Sequence, residues 1–274
     1  MPGSPTLTLN NGAQIPQLGF GVYLVTGDDI EPTVRTALEV GYRHIDTASA
    51  YGNEEGVGRV IAESGIARDE LFVTTKLPNE DHGYDNATSA FERSLERLGL
   101  DYIDLYLIHW PCPAKDRYVE SWQALEKFHG DGRARSIGVS NFLSNHLHRL
   151  QAETTVLPAV NQIELHPTFA QSSLAQVHRD LGIATESWSP LGVGADLDSP
   201  TVTEIAARRG RTPAQVVIRW HLQLGYVVIP KSATPERIAA NFDVFDFELD
   251  DADMTAISAL DAGNRIGGHP DEVN

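Results

Sequence analysis

Leu105-Tyr106-Leu107-Ile108-His109-Trp110-Pro111 is an apolar, β-rich run that closes on a histidine, and two earlier runs close in the same manner. His44-Ile45-Asp46 stops on a carboxylate and Leu71–Lys76 on an ammonium. Amphipathic stretches of helical spacing follow the runs, at Glu54–Ser64, Ala87–Leu98 and Tyr118–His129. Strands that alternate with such stretches imply a parallel sheet covered by helices. Outward from this centre the unit is found eight times. The remaining strands are expected at Leu18–Gly21, Ser136–Ser140, Ala159–Glu164, Ala184–Ser187 and Val227–Pro230. The remaining helices are expected at Glu31–Val40, Ser144–Ala152, Ser172–Leu181, Thr212–Leu224 and Pro235–Phe242. A doubly wound open sheet alternates in the same way. The count of eight and the polar strand ends favour a closed barrel, where chemistry gathers at the C-terminal ends of the strands.

Three segments fall outside the repeat. Thr6–Leu9, Asn10-Asn11-Gly12 and Gln14–Pro16 predict a hairpin able to plug the barrel floor, with Asn-Gly supplying the positive φ angles of a tight turn. Pro200–Arg209 and Asp250–Leu260 predict two extra helices. No linker or low-complexity tract divides the chain, so residues 1–274 are expected to form one α/β domain, a (β/α)8 TIM barrel with an N-terminal β-hairpin.

The single cysteine, Cys112, excludes an internal disulfide and a multi-thiolate metal site, and reads as a loop residue between two prolines. A formal charge of −17 opposes nucleic acid and acidic membrane surfaces as partners. An anionic ligand would need a local basic pocket. No apolar run approaches the length of a membrane span, and Met1–Pro5 lacks the pattern of a secretory signal. A cytoplasmic monomer acting on a small molecule is the expectation.

Successive barrel strands are neighbours, so Asp46, Lys76 and His109 should converge beneath Tyr51, which lies on the loop after the second strand. The set can transfer a proton but contains no nucleophile. Tyrosine is a poor acid at neutral pH, and an adjacent ammonium should lower its pKa. Asp46 should keep Lys76 charged, and His109 should donate to a substrate carbonyl. Each residue alone has a plain structural reading, as a helix cap, a packing ring or a semi-buried histidine; the four together are harder to dismiss. Ser140, Asn141 and Gln162 offer donors and acceptors suited to a carboxamide such as that of nicotinamide, and Trp188 a face for stacking. Lys231 and Ser232, with Arg237 and Asn241 on the next helix, make a basic strand end suited to phosphate, although Ser232 and Thr234 could equally cap that helix.

The chain resembles the aldo-keto reductase superfamily over its whole length. The resemblance is carried by Gly41–Ala48, Tyr51-Gly52-Asn53-Glu54, Thr75-Lys76-Leu77, Leu107–Pro111, Ser136–Phe142, Asn161-Gln162-Ile163-Glu164 and Ile229-Pro230-Lys231-Ser232. Asp243–Leu249 and His269–Val273 are most similar to the bacterial 2,5-diketo-D-gluconate reductases. The resemblance implies reduction of a carbonyl by NADPH without a metal. It makes Asp46, Tyr51, Lys76 and His109 the catalytic tetrad. Ser140, Asn141 and Gln162 become carboxamide binders and Trp188 the stacking ring, with Ser189 and Leu191 beside it on the cofactor. Lys231, Ser232, Arg237 and Asn241 take the adenosine-phosphate end. Tyr23, Pro78 and Trp110 line the expected substrate pocket. Pro78 stands where the diketogluconate reductases carry tryptophan, and Thr234 where they carry arginine.

Two other readings remain. His44 and Asp46 share one face of a strand, as in a metal-dependent barrel hydrolase, but His146 and His148 point apart on a helix and complete no ligand set. The second is a nicotinamide-binding regulatory protein on the same fold, since fold alone does not fix function.

Overall fold

The computed structural model describes residues 3–274. An antiparallel hairpin, β1 (Thr6–Thr8) with β2 (Gln14–Pro16), precedes eight parallel strands. These are β3 (Phe20–Gly21), β4 (His44–Asp46), β5 (Phe72–Leu77), β6 (Ile103–Ile108), β7 (Ala134–Ser140), β8 (Val160–Glu164), β9 (Ala184–Trp188) and β10 (Val227–Val228), adjacent in chain order. The barrel closes between its first and last strands: Leu18 bridges Val228 in parallel, Gly19 N donates to Val228 O at 2.9 Å, and Val228 N donates to Gln17 O at 2.9 Å. The expected (β/α)8 architecture is present.

The first and last strands are shorter than the sequence suggests. Pro230 has no N–H to continue the ladder, and β10 ends at Val228. The hairpin turn also differs: Leu9 N donates to Ala13 O at 2.9 Å, and in this turn only Gly12 has a positive φ, +86°. Asn11 instead spends its side-chain amide on Arg135 O and Ser136 Oγ, both at 3.0 Å. Leu9 and Ile15 pack against Phe72, Val160 and Val227, the residues that begin β5, β8 and β10. The hairpin therefore closes the floor, opposite the polar strand ends.

Ten helices follow the expected order among the described residues: α1 (Ile30–Val40), α2 (Glu54–Glu63), α3 (Tyr84–Leu98), α4 (Tyr118–Gly130), α5 (Ser144–Glu153), α6 (Ser172–Leu181), α7 (Pro200–Arg209), α8 (Pro213–Gln223), α9 (Pro235–Phe242) and α10 (Asp251–Ser258). α3 starts three residues before its first expected position because its opening turn, Tyr84-Asp85-Asn86, is polar and hides from an apolar-period search. α8 begins with a reciprocal capping box between Thr212 and Gln215 and a proline in its first turn. Between sheet and helices, Phe91 of α3 stacks on Phe128 of α4 at 4.2 Å and meets the edge of Tyr106 of β6 at 4.9 Å. Each such fully buried ring contributes roughly 1.5–3 kcal/mol of apolar transfer. That shell holds the strand ends rigid enough to serve as a platform. No helix among the described residues is long and apolar enough to cross a membrane.

Candidate active site

β4 ends on Asp46, and the chain then makes one 3-10 turn, Ser49–Tyr51, before α2. Buried Asn53 pins this turn by accepting from Thr47 Oγ1 at 2.6 Å and donating to Val22 O and Val25 O at 3.0 and 2.9 Å. Glu54 anchors it from the other side, accepting from Thr75 Oγ1 at 2.6 Å and Arg97 Nε at 2.7 Å. The half-buried Tyr51 ring is thereby held over Lys76, whose Nζ lies 5.1 Å from the ring centroid. Lys76 has no solvent-exposed surface, and its ammonium donates to Asp46 Oδ1 at 2.7 Å and Thr47 O at 2.8 Å. His109, just past β6, sets its ring edge-on to Tyr51 with centroids 5.7 Å apart. The four residues singled out in the sequence meet at one point.

Burial alone would strip the proton from Lys76, but Asp46 and then Tyr51 outweigh it and hold the lysine above its ordinary pKa. The expectation for Tyr51 needs correction. Burial lifts the phenol above its usual value, and Lys76 only offsets part of that rise. Tyr51 is thus a phenol, not a phenolate, throughout the neutral range. His109 is pushed down to about 3 by burial, with Lys76 adding to the effect, so it is a neutral ring that can still donate one N–H.

The carboxamide candidates gather at the ends of β7, β8 and β9. Asn141 takes a left-handed φ of +64°, which turns its side chain across the strand ends. Its Nδ2 donates to His109 O and Ser140 Oγ, both at 3.0 Å, and its Oδ1 accepts from Trp188 Nε1 at 2.8 Å. The Trp188 ring is therefore fixed by its edge. Gln162 reaches across the barrel and donates from Nε2 to Asp46 Oδ2 at 2.8 Å, a contact not read from the sequence. Ser189 is half-buried at φ +47°, whereas Leu191 packs into the apolar layer beneath the helices.

Lys231, in the turn after β10, and Arg237, in the first turn of α9, are exposed and join no salt bridge among the described residues. Ser232 and Asn241 are buried beside them. Thr234 is the N-cap residue but makes no side-chain cap; Ser232 Oγ accepts from Thr234 N at 3.1 Å instead. At the mouth, Tyr23 is exposed with its ring 5.1 Å from Tyr51, Trp110 is half-buried, and Pro78 is buried at the end of β5. Cys112 lies in the loop after β6, as expected, with its free thiol buried, and burial pushes that thiol up to about 11.

The model of the Aldo/keto reductase family matches residues 17–262. The chain belongs to this family. An aldo-keto reductase of Mycolicibacterium smegmatis is 56% identical over 271 residues, spanning 99% of this chain and 98% of its own. Morphine 6-dehydrogenase of Pseudomonas putida is 51% identical over 284 residues, spanning 99% of this chain and 96% of its own. Among solved structures, a Gox0644 mutant in complex with NADPH superposes with a TM-score of 0.96 at 47% identity, covering 100% of both chains. A Bombyx mori aldo-keto reductase in complex with NADP gives 0.92 at 39% identity, covering 98% of this chain and 96% of that one.

Within this family member one buried polar group near the tetrad has no counterpart in the sequence reading. Glu186 lies wholly buried on β9, in register with Gln162, and neither carboxyl oxygen has a hydrogen-bond partner. Burial, and then the nearby Asp46, push its carboxyl well above the usual carboxylate range. His44, read as a metal-ligand candidate, faces Thr74 Oγ1 at 3.0 Å and Glu186 Oε1 at 3.8 Å inside the barrel. No group of three or more His, Cys, Asp or Glu among the described residues is arranged to hold a metal ion. The available signal was period-two spacing, since Glu186 shares its strand face with Trp188.

Proposed function

We propose that this protein reduces small aldehydes and ketones to alcohols with NADPH, and that Tyr51 gives the proton to the carbonyl oxygen. The observation that carries the reading is the fully buried Lys76 ammonium, clamped 2.7 Å from Asp46 and 5.1 Å from the centre of the Tyr51 ring. A buried cation aimed at a phenol has one evident use: it stabilises the phenolate that forms as the proton leaves. Asp46 holds that cation in place, and Gln162 holds Asp46. Neutral His109 directs an N–H toward the carbonyl oxygen beside the Tyr51 hydroxyl and orients the substrate.

The donor set fits NADPH. Lys231 and Arg237 are exposed cations with no carboxylate partner among the described residues, in a chain of net charge −17, and suit a 2′-phosphate. Ser232 and Asn241 add donors beside them. Ser140, Asn141 and Gln162 offer amide and hydroxyl groups to the carboxamide, and the edge-fixed Trp188 offers its face to the ring. The bound nicotinamide would supply a hydride to the carbonyl carbon. Ser189 and Leu191 lie on the chain that follows Trp188 and would flank the cofactor.

The likeness of Asp243–Leu249 and His269–Val273 to 2,5-diketo-D-gluconate reductases supports a keto-sugar acid or α-dicarbonyl as substrate. A relative whose name places its chemistry on morphine supports a pocket that also admits large ring systems. Tyr23, Pro78 and Trp110 would line that pocket. Loss of NADPH absorbance with a panel of sugar-derived ketones, α-dicarbonyls and aromatic aldehydes tests the assignment. Tight NADPH binding without turnover of any carbonyl would favour a regulatory protein on the same fold instead.

A further inference from the structure

A second charged cluster lies outside the tetrad and touches two segments of the mouth at once. His166, just beyond β8, has no exposed surface and sits between two carboxylates. Its Nδ1 lies 2.9 Å from Asp196 Oδ2 and its Nε2 lies 3.2 Å from Glu164 Oε1. Asp196 belongs to the segment Gly192–Asp198, which follows Trp188, and that segment folds around its carboxylate: a Cβ on Gly192 would fall 2.6 Å from Asp196 Oδ2. The same loop contains Val193 at φ +53°, an unusual conformation for a β-branched residue.

Glu164 faces the other way as well. It accepts from Ile266 N at 2.5 Å and from Gly267 N at 2.8 Å. Gly267 is pressed so closely against the site that a Cβ there would lie 2.5 Å from the Trp188 ring and 2.9 Å from Glu164 Oε2. Thr168 completes the tie: its hydroxyl donates to Asp196 Oδ1 at 2.8 Å, and its carbonyl accepts from Ala262 N and Asn264 N, both at 3.1 Å. One buried ring therefore joins the loop after Trp188 to the C-terminal segment lying on Trp188.

We propose that Glu164, His166 and Asp196 are positioning residues that lock the C-terminal segment Ile266–Gly268 against Trp188 and thereby set which carbonyl compounds the pocket admits. The inference rests on the carbonyl-reductase reading for its substrate arm, but the lock itself does not depend on turnover. Three features make the bridge more than packing. Two buried carboxylates this close to one imidazole coexist as anions only while the ring carries both protons. Burial works against that proton, but the hydrogen bonds to Asp196 and Glu164 outweigh it and raise His166 to about 9. Around the ring, Arg265 faces Glu164 from the C-terminal segment, and His221 of α8, held down to about 3, adds no positive charge.

The sign of the pH effect follows. A histidine with a raised pKa keeps its bridge below that value and releases it as pH climbs through about 9. The lock should then loosen, and KM for bulky carbonyls should change in the alkaline range while KM for a small α-dicarbonyl stays level. Replacing Asp196 with Asn removes one of the two anions, so the change should move at least about one pH unit lower.

Amide hydrogen exchange at neutral pH and steady-state kinetics test this together. Glu164→Gln presents an amide where two backbone N–H groups need an acceptor, and each charged hydrogen bond lost corresponds to roughly a tenfold or greater change. We expect protection at Ile266 and Gly267 to fall about tenfold or more, KM for an aromatic ketone to shift by a similar factor relative to methylglyoxal, and NADPH affinity to hold. Asp196→Asn, which keeps the shape of the bridge, should leave neutral-pH protection largely intact and shift the alkaline KM change downward. Unchanged protection in Glu164→Gln, or an unmoved alkaline KM change in Asp196→Asn, overturns the lock. Equal KM shifts for large and small carbonyls overturn its part in selection. If the unmodified protein reduces no carbonyl at all, the proposed function fails, while the exchange data still decide the bridge; should Glu164→Gln fail to fold, Asp196→Asn decides it by its pH profile.

Discussion

Asp46→Asn isolates the interaction on which the proposed chemistry depends. In the native protein the Lys76 ammonium is fully buried and 2.7 Å from Asp46 Oδ1. At an effective dielectric near 20, two unit charges at that separation attract by about 6 kcal/mol, and the hydrogen bond to Thr47 O remains in the variant. Removing one member of a buried pair typically costs about 3–5 kcal/mol. For a chain of this size that corresponds to a Tm lower by roughly 6–20 °C.

The pH dependence of that loss is the sharper test. Native Lys76 is held above its ordinary pKa, so its stabilising contribution is complete at neutral pH and is lost only as pH rises through that raised value. Without Asp46, burial dominates and its folded pKa drops below the unfolded one. The unfolded chain then binds more protons, and stability rises with pH by up to about 1.4 kcal/mol per unit. Glu186 works in the same direction in the comparison. Its raised pKa costs the native fold stability as pH rises from the usual carboxylate range toward the raised value, and Asp46 is one cause of the elevation. The gap between native and variant Tm should therefore narrow steadily from pH 6 to pH 9 when followed by circular dichroism. If the proposed chemistry holds, carbonyl reduction should fall as well, because the lysine no longer offers its charge to the phenolate that would form at Tyr51. A gap independent of pH would refute the reasoning, since it would mean that Lys76 keeps its charge without Asp46.

Three further outcomes are expected. Tyr51→Phe removes only the acidic hydroxyl, so kcat should fall by about 10²–10⁴ while NADPH affinity, measured by tryptophan quenching, stays nearly unchanged; substantial residual turnover would move the proton to another group. Lys231→Gly with Arg237→His should abolish a preference for NADPH over NADH of about a hundredfold, since each charged hydrogen bond contributes roughly 1.5–3 kcal/mol, and equal native affinities for the two coenzymes at fixed ionic strength would sink that assignment. Pro78→Trp should lower kcat/KM for bulky aromatic carbonyls relative to small dicarbonyls. Because Pro78 is buried, an identical effect on both classes would remove it from the pocket.

The parts of this molecule that depend on local periodicity were legible in the chain. The hairpin strands, the eight strand–helix units and the extra helix Pro200–Arg209 fall where their spacing puts them, because period-two and period-3.6 patterns are properties of neighbouring residues. The convergence of Asp46, Lys76 and His109 followed from one topological rule, that successive strands of a barrel are adjacent. What stayed hidden is cross-barrel. Gln162 meets Asp46 over a separation of 116 residues, and Glu164 meets Gly267 over 103. Nothing in either local pattern encodes which distant side chain faces it.

The same difference hides the direction of the Tyr51 shift from the sequence. A lysine near a tyrosine can be inferred from topology, and its lowering effect follows from charge alone. The opposing effect is desolvation, and it depends on how completely the turn is enclosed: on Asn53 holding Val22 and Val25 from one side and on His109 closing the other. Burial wins, and the resting phenol keeps its proton. For a proton donor this ordering is functional, because a tyrosine already ionised at neutral pH would have nothing to give. In the proposed reaction Lys76 would act on the phenolate that forms during transfer more than on the resting phenol, which is where an electrostatic contribution accelerates a reaction.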